Sequence, residues 1–258
     1  MAGILANGTA VVTGAGSATG RAIALAFARD GTSNLAIGDL DSTELQETSK
    51  QLKEQYPSLN ILAESIDIND EGSAARFFQQ VVDKFGRIDF AANIAGHEPP
   101  VAGAHEVEDA DFDLAFERNQ RGIFFCSKPI LGHMLKQQPL EGHVTRGSIV
   151  NVTSIASTAA LPGLHVYSAT QGGVFGLSKS DAYDYAGDRI RVNVVAPLLF
   201  SNKEVYAKLE EHPFKRYATP EDVANAVVFL SGPRAAFISG IALPVDGGFH
   251  LKTGGPPR

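Results

Sequence analysis

The stretch TGAGSATGRAIALAFA, residues 13–28, determines how the rest of the chain is interpreted. It follows the β-branched run GTAVV, which predicts a strand, and it begins an alanine-rich amphipathic helix. Glycines at such a turn let the backbone approach a pyrophosphate, and the N–H groups of the helix N-terminus then point at it. Gly14, Gly16 and Gly20 are spaced G-x-G-x-x-x-G, one residue longer than the common dinucleotide fingerprint. The stretch therefore predicts either a nucleotide site or a glycine-rich turn without a ligand.

Strand-like and helix-like segments alternate along the rest of the chain. Strands are expected over 9–14, 34–41, 60–68, 88–96, 147–154, 190–197 and 241–248, and helices over 21–29, 42–55, 71–85, 109–136, 167–186 and 219–232. This alternation is typical of an α/β fold, a single doubly wound, Rossmann-type parallel sheet with helices on both faces. No repeat or linker interrupts it, so residues 1–258 are expected to form one dinucleotide-binding domain. Its core would run from 8 to 249, and residues 250–258 would form a flexible tail.

Composition excludes several classes of function. The chain has 22 basic and 29 acidic residues and a net charge of −7, which disfavours nucleic-acid binding because phosphate contacts need a basic face. The single cysteine, Cys126, excludes an internal disulfide and is typical of a reducing compartment. No apolar run approaches the ~18 residues needed to span a bilayer, and no signal-peptide pattern is present. We expect a cytoplasmic protein with no membrane, nucleic-acid or metal partner.

Nine motifs follow one another in a characteristic order. They read TGAGSATG, GDLD, DIND, FGRIDFAANIAG, RNQRGIFFC, GSIVNVTS, YSATQGG, IRVNVVAP and DGGF. Together they resemble the short-chain dehydrogenase/reductase family over about residues 8–249. The resemblance implies a nicotinamide cofactor bound at the carboxyl ends of the strands. Because a fold does not by itself establish an activity, the site residues are considered one by one.

The first half of the chain carries most of the residues that the resemblance assigns to the cofactor. Asp39 ends the second expected strand, 19 residues after Gly20. A carboxylate there accepts hydrogen bonds from the adenosine ribose and repels a 2′-phosphate, so NAD is expected rather than NADP. A helix-capping aspartate is the alternative interpretation. The expected cofactor-binding residues are Gly14, Ser17, Ala18, Thr19, Gly20, Asp39, Leu40, Asp67, Ile68, Asn93, Ala95, Gly96, Val152, Tyr167, Gln171, Pro197, Leu198 and Phe200.

The second half carries the implied catalytic residues. In the family, a tyrosine exchanges a proton with the substrate oxygen while the nicotinamide exchanges a hydride with the substrate carbon. A serine orients that oxygen, and an asparagine on the preceding long helix helps to hold a water molecule. Tyr167, Ser154 and Asn119 match these positions, and Tyr167 follows Ser154 by 13 residues, an interval that the family uses.

The fourth catalytic position departs from the family pattern, because Gln171 replaces the lysine one helical turn beyond Tyr167. Gln171 shares a helix face with Tyr167 and can bond a ribose hydroxyl, but it supplies no charge. A nearby cation typically lowers a pKa by ~1–3 units, so less phenolate is expected near neutrality. Alcohol oxidation needs that phenolate and should suffer more than carbonyl reduction.

Two further departures and three candidate cations accompany this change. Ala18 replaces the middle glycine of the family's first motif, which is tolerated if its φ is negative, and Leu198 replaces a glycine after Pro197. The candidates to replace the lysine's charge are His97, His165 and Arg121, each of which could equally be an ordinary loop or surface residue.

Three functions remain open at this point. The first is an NAD(H)-dependent oxidoreductase that acts on a ketone or secondary alcohol and favours carbonyl reduction. The second is a non-redox isomerase, cyclase or dehydratase on the same scaffold. The third is a catalytically silent cofactor-binding protein. Apolar residues between 198 and 214 are consistent with an apolar or aromatic small-molecule substrate, or equally with a loop helix that packs on the core. The two long helices are consistent with a homodimer or homotetramer.

Overall fold

The computed structural model describes residues 4–5, 7–94, 96–97, 101–198 and 212–251. The strands are β1 Thr9–Thr13, β2 Asn34–Asp39, β3 Asn60–Ser65, β4 Phe90–Ile94, β5 Gly147–Val152, β6 Ile190–Pro197 and β7 Ala242–Val245. They form one seven-stranded sheet in the order β3-β2-β1-β4-β5-β6-β7, with every neighbouring pair parallel. The expected Rossmann-type α/β fold is confirmed.

Four of the seven α-helices in the described ranges begin after a residue whose side chain caps the first turn. The seven helices are α1 Ala18–Arg29, α2 Ser42–Gln55, α3 Glu71–Phe85, α4 Asp109–Ala115, α5 Gly122–Met134, α6 His165–Asp184 and α7 Pro220–Ser231. The N-caps Ser17, Asp41, Asp70 and Thr219 each accept a backbone N–H with the side chain. Thr219 also forms a capping box with Asp222, and Pro220 is the first residue of α7.

Residues along each strand alternate between two hydrophobic cores. Ala10 and Val12 of β1 pack with α1, α2 and α7, whereas Val11 between them packs with α3 and α5. Successive side chains of a strand point to opposite faces, so a sheet with helices on both faces needs apolar residues at every position. Phe27 and Phe77, one in each core, are almost fully buried, and each contributes roughly 1.5–3 kcal/mol of stabilisation.

The order of the strands fixes where a ligand can bind. The chain moves outward from β1 to β2 and β3, and then crosses to β4 on the other side of β1. In open parallel sheets, ligands bind in the crevice at such a switch point, outside the carboxyl ends of the strands. The segment after β1 contains the glycine-rich turn, and the segment after β4 contains Gly96 and His97.

One expected helix differs from the observed structure. The segment expected to be helical over 109–136 is divided into α4, a π-helical turn Phe116–Arg121, and α5. The wider turn lies at the expected catalytic Asn119. Single π-turns within helices frequently mark functional sites.

Candidate active site and cofactor cradle

The turn between β1 and α1 is built so closely that only glycine fits at its key positions. Gly14 has φ +72°, in the region that favours glycine, and a side-chain carbon there would lie 2.8 Å from the carbonyl oxygen of Ile94. A side-chain carbon at Gly20 would collide with the carbonyl of Gly14. At Gly16 it would lie 3.0 Å from the carboxylate of Asp39. The turn therefore brings bare backbone against the ends of β2 and β4.

Ser17 and Ala18 complete this turn. Ser17 Oγ donates to the carbonyl of Gly14 (2.8 Å) and accepts the N–H of Gly20 (3.0 Å), so it fixes the turn and caps α1 at once. Ala18 is the first residue of α1, its side chain is exposed, and its φ is not positive. An extra methyl group at this position causes no backbone strain. With Thr19 it forms the exposed first turn of a helix N-terminus that suits an anion.

Asp39 and Asp41 divide two tasks between them. Asp41 is the N-cap of α2 and accepts the N–H groups of Thr43 and Glu44 (2.9 and 3.1 Å). Asp39 instead accepts the N–H groups of Gly16 (2.8 Å) and Asp41 (2.9 Å). The alternative interpretation of Asp39 as a helix cap is therefore wrong. Its carboxylate lies on the glycine-rich turn itself.

A cavity of about 430 Å³ opens at the switch point. Its lining includes six of the expected cofactor residues, namely Gly14, Asp39, Leu40, Asp67, Ile68 and Gly96. His97 and Arg118 also line it. The half-buried Asp67 is held by its own loop, since its carboxylate accepts the N–H of Asn69 (2.9 Å). The adenosine half of a dinucleotide needs exposed glycine backbone, a carboxylate that accepts hydrogen bonds from the ribose, and an apolar wall. The cavity contains all three, so the residues present fit that group.

Tyr167 packs against the short turn that Ser154 caps, next to this edge of the sheet. Ser154 follows β5 and caps a short 3₁₀ turn, where its Oγ accepts the N–H of Ala156 (3.2 Å). Ala156 packs in a small apolar cluster with Leu164 and Tyr167. Tyr167 lies in the first turn of α6 and is 7% exposed. The expected serine and tyrosine are thus brought onto neighbouring surfaces by β5 and α6.

Asn119 holds the region together through its side chain. Its Oδ1 accepts the backbone N–H of His97 (2.7 Å), and its Nδ2 donates to the carbonyl of His97 (2.9 Å) and to Thr170 Oγ1 (3.1 Å). Both amide hydrogens are used within the protein. Asn119 therefore acts through position, by tying the segment after β4 to α6. Thr170 in turn donates to the carbonyl of Tyr167 (2.8 Å).

Gln171 lies one helical turn beyond Tyr167 on α6 and is 1% exposed. Among the described residues, its amide has no hydrogen-bond partner. The position of Gln171 is compatible with the expected ribose contact.

The three residues considered as replacements for the lysine's charge lie at different places around the site. His97 lines the cavity at the switch point, and His165, the first residue of α6, is exposed next to a smaller cavity that also contains Glu106. Arg121 points outward, where it pairs with Glu117 (3.8 Å) and lies over the Phe125 ring. Within the described ranges, none of the three is recorded in contact with Gln171.

The remaining expected residues have mixed placements. Val152 and Pro197 end β5 and β6 and are buried, and the 2%-exposed Leu198 donates its N–H to the carbonyl of Val245 (3.1 Å). Asn93 is fully buried and donates to Asn151 Oδ1 (3.0 Å), which ties β4 to β5. The expected contacts of Ala95 and Phe200, and the tail from 252 onward, lie outside the described residues.

Comparison with known proteins agrees with this geometry. A family model described as enoyl-(acyl carrier protein) reductase matches residues 14–250. The short-chain dehydrogenase anuF of Penicillium roqueforti is 33% identical over 270 residues, covering 95% of this chain and 97% of its own. The chain belongs to the short-chain dehydrogenase/reductase family.

Two other short-chain dehydrogenase/reductase relatives carry informative names. The 2-(R)-hydroxypropyl-CoM dehydrogenase of Xanthobacter autotrophicus is 34% identical, covering 93% of this chain and 97% of its own. A solved 3-ketoacyl-(acyl-carrier-protein) reductase from Brucella melitensis, complexed with NADH, superposes with a TM-score of 0.84 at 28% identity. That match covers 95% of this chain and 99% of the other. This short-chain dehydrogenase/reductase chain is accordingly a member of an oxidoreductase family.

Sequence reasoning missed two residues of this short-chain dehydrogenase/reductase site. Thr170 joins Asn119 to α6, and the only signal was a hydroxyl residue in the interior of a helix, between the tyrosine and Gln171. Arg118 lines the cofactor cavity, and the only signal was its position before Asn119. Neither position stands out until the π-helical turn is known.

Three observations limit other chemistry in the described ranges. Cys126 is buried, which raises the pKa of its thiol to about 12, so it is not a thiolate at neutral pH. No group of three or more acidic, histidine or cysteine side chains that could hold a metal ion occurs among the described residues. None of the described helices is long and apolar enough to cross a membrane.

Proposed function

We propose that this protein is an NAD(H)-dependent oxidoreductase that acts on a ketone or secondary alcohol, favours carbonyl reduction and uses Tyr167 as its general acid/base. The observation that carries the proposal is the buried Tyr167 beside the Ser154 turn, on the helix that Asn119 ties to the cofactor cavity. The relative named for a 2-hydroxypropyl substrate supports a secondary alcohol.

The residues would divide the reaction as follows. A bound nicotinamide supplies or accepts the hydride. Ser154 Oγ orients the carbonyl oxygen, and the Tyr167 hydroxyl gives that oxygen a proton during reduction. The amide of Gln171 holds a ribose hydroxyl. Asn119 and Thr170 fix the relation between α6 and the segment after β4.

The proposed direction follows from the charge that Gln171 lacks. Reduction needs a protonated phenol, which is the dominant form of an ordinary tyrosine at neutral pH. Oxidation needs the phenolate, which a neighbouring cation would stabilise. No cation in the described ranges is recorded at Gln171. The protein is therefore proposed to work best as a reductase.

The proposed preference for NAD over NADP rests on Asp39. Its carboxylate is anchored on the glycine-rich turn, so a 2′-phosphate at the adjacent ribose would face a fixed negative charge. The solved relative complexed with NADH supports the same choice. We retain an apolar or aromatic substrate, a homodimer or homotetramer, and a cytoplasmic location as parts of this proposal.

The proposal is tested by calorimetric titration with NADH and NADPH, followed by a panel of ketones monitored by NADH absorbance. Wild-type protein should bind NADH more tightly than NADPH and oxidise NADH with at least one ketone. Tyr167→Phe should still bind NADH and reduce the ketone about 10²–10⁴-fold more slowly, because it loses the proton donor. Absence of NADH binding, or full activity in Tyr167→Phe, would contradict the proposal.

A non-redox acid–base reaction on the same scaffold is the second candidate, and the uncharged Gln171 is the observation that favours it. Tyr167 would then protonate or deprotonate a substrate without hydride transfer. This candidate predicts substrate turnover, detected by mass spectrometry, with no change in NADH absorbance. Matched disappearance of NADH and ketone would exclude it.

A further inference from the structure

Arg118 differs from the arginine three residues later in the same π-helical turn. Arg121 is engaged at the surface by Glu117 and the Phe125 ring. Arg118 is exposed, lines the cavity at the switch point, and forms no ion pair with a carboxylate of the described residues. Its Nη1 instead lies 3.5 Å from His97 Nδ1. A guanidinium without a carboxylate partner therefore borders the space where the adenosine half is proposed to bind.

The backbone beneath Arg118 is fixed. The next residue, Asn119, is fully buried and bonds both the N–H and the carbonyl of His97. Arg118 and His97 thus stand on two segments that are clamped to each other, on the same wall of the cavity. The backbone that carries the Arg118 side chain to the cavity lining is consequently anchored.

The charges of the cavity favour a neutral group next to Arg118. Two carboxylates, Asp39 and Asp67, line the same space as this single guanidinium. A phosphate there would be repelled by both carboxylates, whereas a neutral aromatic base would not. Leu40 and Ile68 add apolar surface to the lining. A planar guanidinium stacks well on an aromatic face, and such stacking strengthens binding by about 3- to 30-fold.

We propose that Arg118 is a cofactor-binding residue whose guanidinium covers the adenine base of the dinucleotide. This inference rests on the proposed nucleotide site. It adds a positively charged residue at the base to the binding residues already expected in the glycine motif and at Asp39. The contact is made to the base, so it gives equal support to NADH and NADPH and leaves discrimination between them to Asp39.

The test compares Arg118→Met with the matched control Arg121→Met, each of which keeps an unbranched apolar stem and removes a guanidinium. Calorimetry gives the Kd for NADH and NADPH, and competition against NADH gives the Kd for adenosine, an uncharged probe. Arg118→Met should weaken all three ligands by a similar factor of about 3 to 30. Arg121→Met should change each Kd less than twofold.

Each other outcome overturns the inference in a recognisable way. Unchanged affinities in Arg118→Met, with NADH binding intact in the wild type, would remove Arg118 from the site and leave the proposed function standing. A loss confined to NADPH would assign the guanidinium to the 2′-phosphate instead of the base. An equal loss in Arg121→Met would show a general effect of surface charge. If wild-type protein binds no NADH, the proposed function fails together with the inference.

Discussion

Gln171 is the main departure from the catalytic pattern of the family, which has a lysine at this position. Replacing it with lysine, in Gln171→Lys, should restore a cation one helical turn from Tyr167. Because a nearby cation lowers a tyrosine pKa by ~1–3 units, alcohol oxidation near neutral pH should rise about tenfold or more. Ketone reduction should change less, since it uses the protonated phenol and not the phenolate. Initial rates in both directions between pH 6 and 10 measure the difference.

The control for this substitution is Gln171→Met, which keeps an unbranched side chain and adds no charge. It should leave the pH dependence of oxidation where the wild type has it. A lysine variant that accelerates both directions equally, or one that leaves the pH profile of oxidation unshifted, would contradict the pKa argument. Burial lowers the pKa of a lysine, so the new side chain carries its charge most fully at lower pH. The change in the oxidation rate should therefore be clearest below pH 8.

Single residues were only partly readable from sequence. The replacement of glycine by Ala18 was visible, but its harmlessness depends on its place as the first residue of α1 with an exposed side chain. The two interpretations of Asp39 could not be separated until the structure showed that Asp41 caps α2. Two aspartates two residues apart satisfy the same local pattern, and only their hydrogen bonds distinguish them.

At the scale of elements, the Asn119 side chain makes the π-helical turn a junction between the segment after β4 and α6. Asn119→Leu should leave the part-buried N–H and carbonyl of His97 without their protein partner and reduce the free energy of unfolding by about 1–3 kcal/mol. It should also weaken NADH binding, because His97 and Arg118 would lose their common support. Urea unfolding and NADH titration measure the two effects.

Thr170→Val is the graded comparison for Asn119→Leu. It removes one of the three Asn119 bonds and the bond from Thr170 to the carbonyl of Tyr167, and it leaves both His97 bonds in place. The loss should be about 1 kcal/mol with NADH affinity almost unchanged. Equal losses in the two variants would mean that the bonds to His97 contribute nothing. In that case Asn119 would be no more than a helix-packing residue.

The division of the 109–136 segment shows where element prediction stops. Its apolar content and length correctly predicted helix on both sides of Asn119. The wider turn at Phe116–Arg121 has no local signal, because it is accompanied by bonds to residues 22 and 51 positions away. Long-range bonds of this kind are invisible to periodicity. The position of Arg118 in the cavity wall could not be predicted either, because it depends on the same turn.

At the scale of the whole molecule, an apolar surface lies on α5 and α6. Phe116, Phe124 and Leu177 line an open cavity of about 540 Å³, and the ring of Phe124 is 47% exposed. We expect this surface to join two copies of the chain. Phe124→Glu should therefore yield a species of smaller mass in light scattering after gel filtration.

Val144→Glu is the control for this substitution, because Val144 is 63% exposed in the segment before β5, away from this surface. It should keep the wild-type mass. If Phe124→Glu also keeps that mass, or if the wild type is already a monomer, the helices α5 and α6 do not form the expected interface.

The overall fold was the most predictable level. Seven strand-like runs alternating with helical periods constrain a parallel sheet, and two-sided burial of β1, β4 and β5 explains why apolar residues of those strands face both cores. The nucleotide half of the site followed because its glycines are close in sequence. The catalytic half needed the resemblance, since Asn119, Ser154 and Tyr167 are far apart in the chain and individually ordinary.

The separate tasks of Asp39 and Asp41 bear on how such a protein diverges. The start of α2 is secured by Asp41, so an exchange at Asp39 leaves the first turn of that helix capped. Coenzyme preference can then drift among descendants while the second helix keeps its stability. Natural variation at the first aspartate should accordingly be freer than at the second, and an engineer who wishes to switch coenzyme has a position at which to begin.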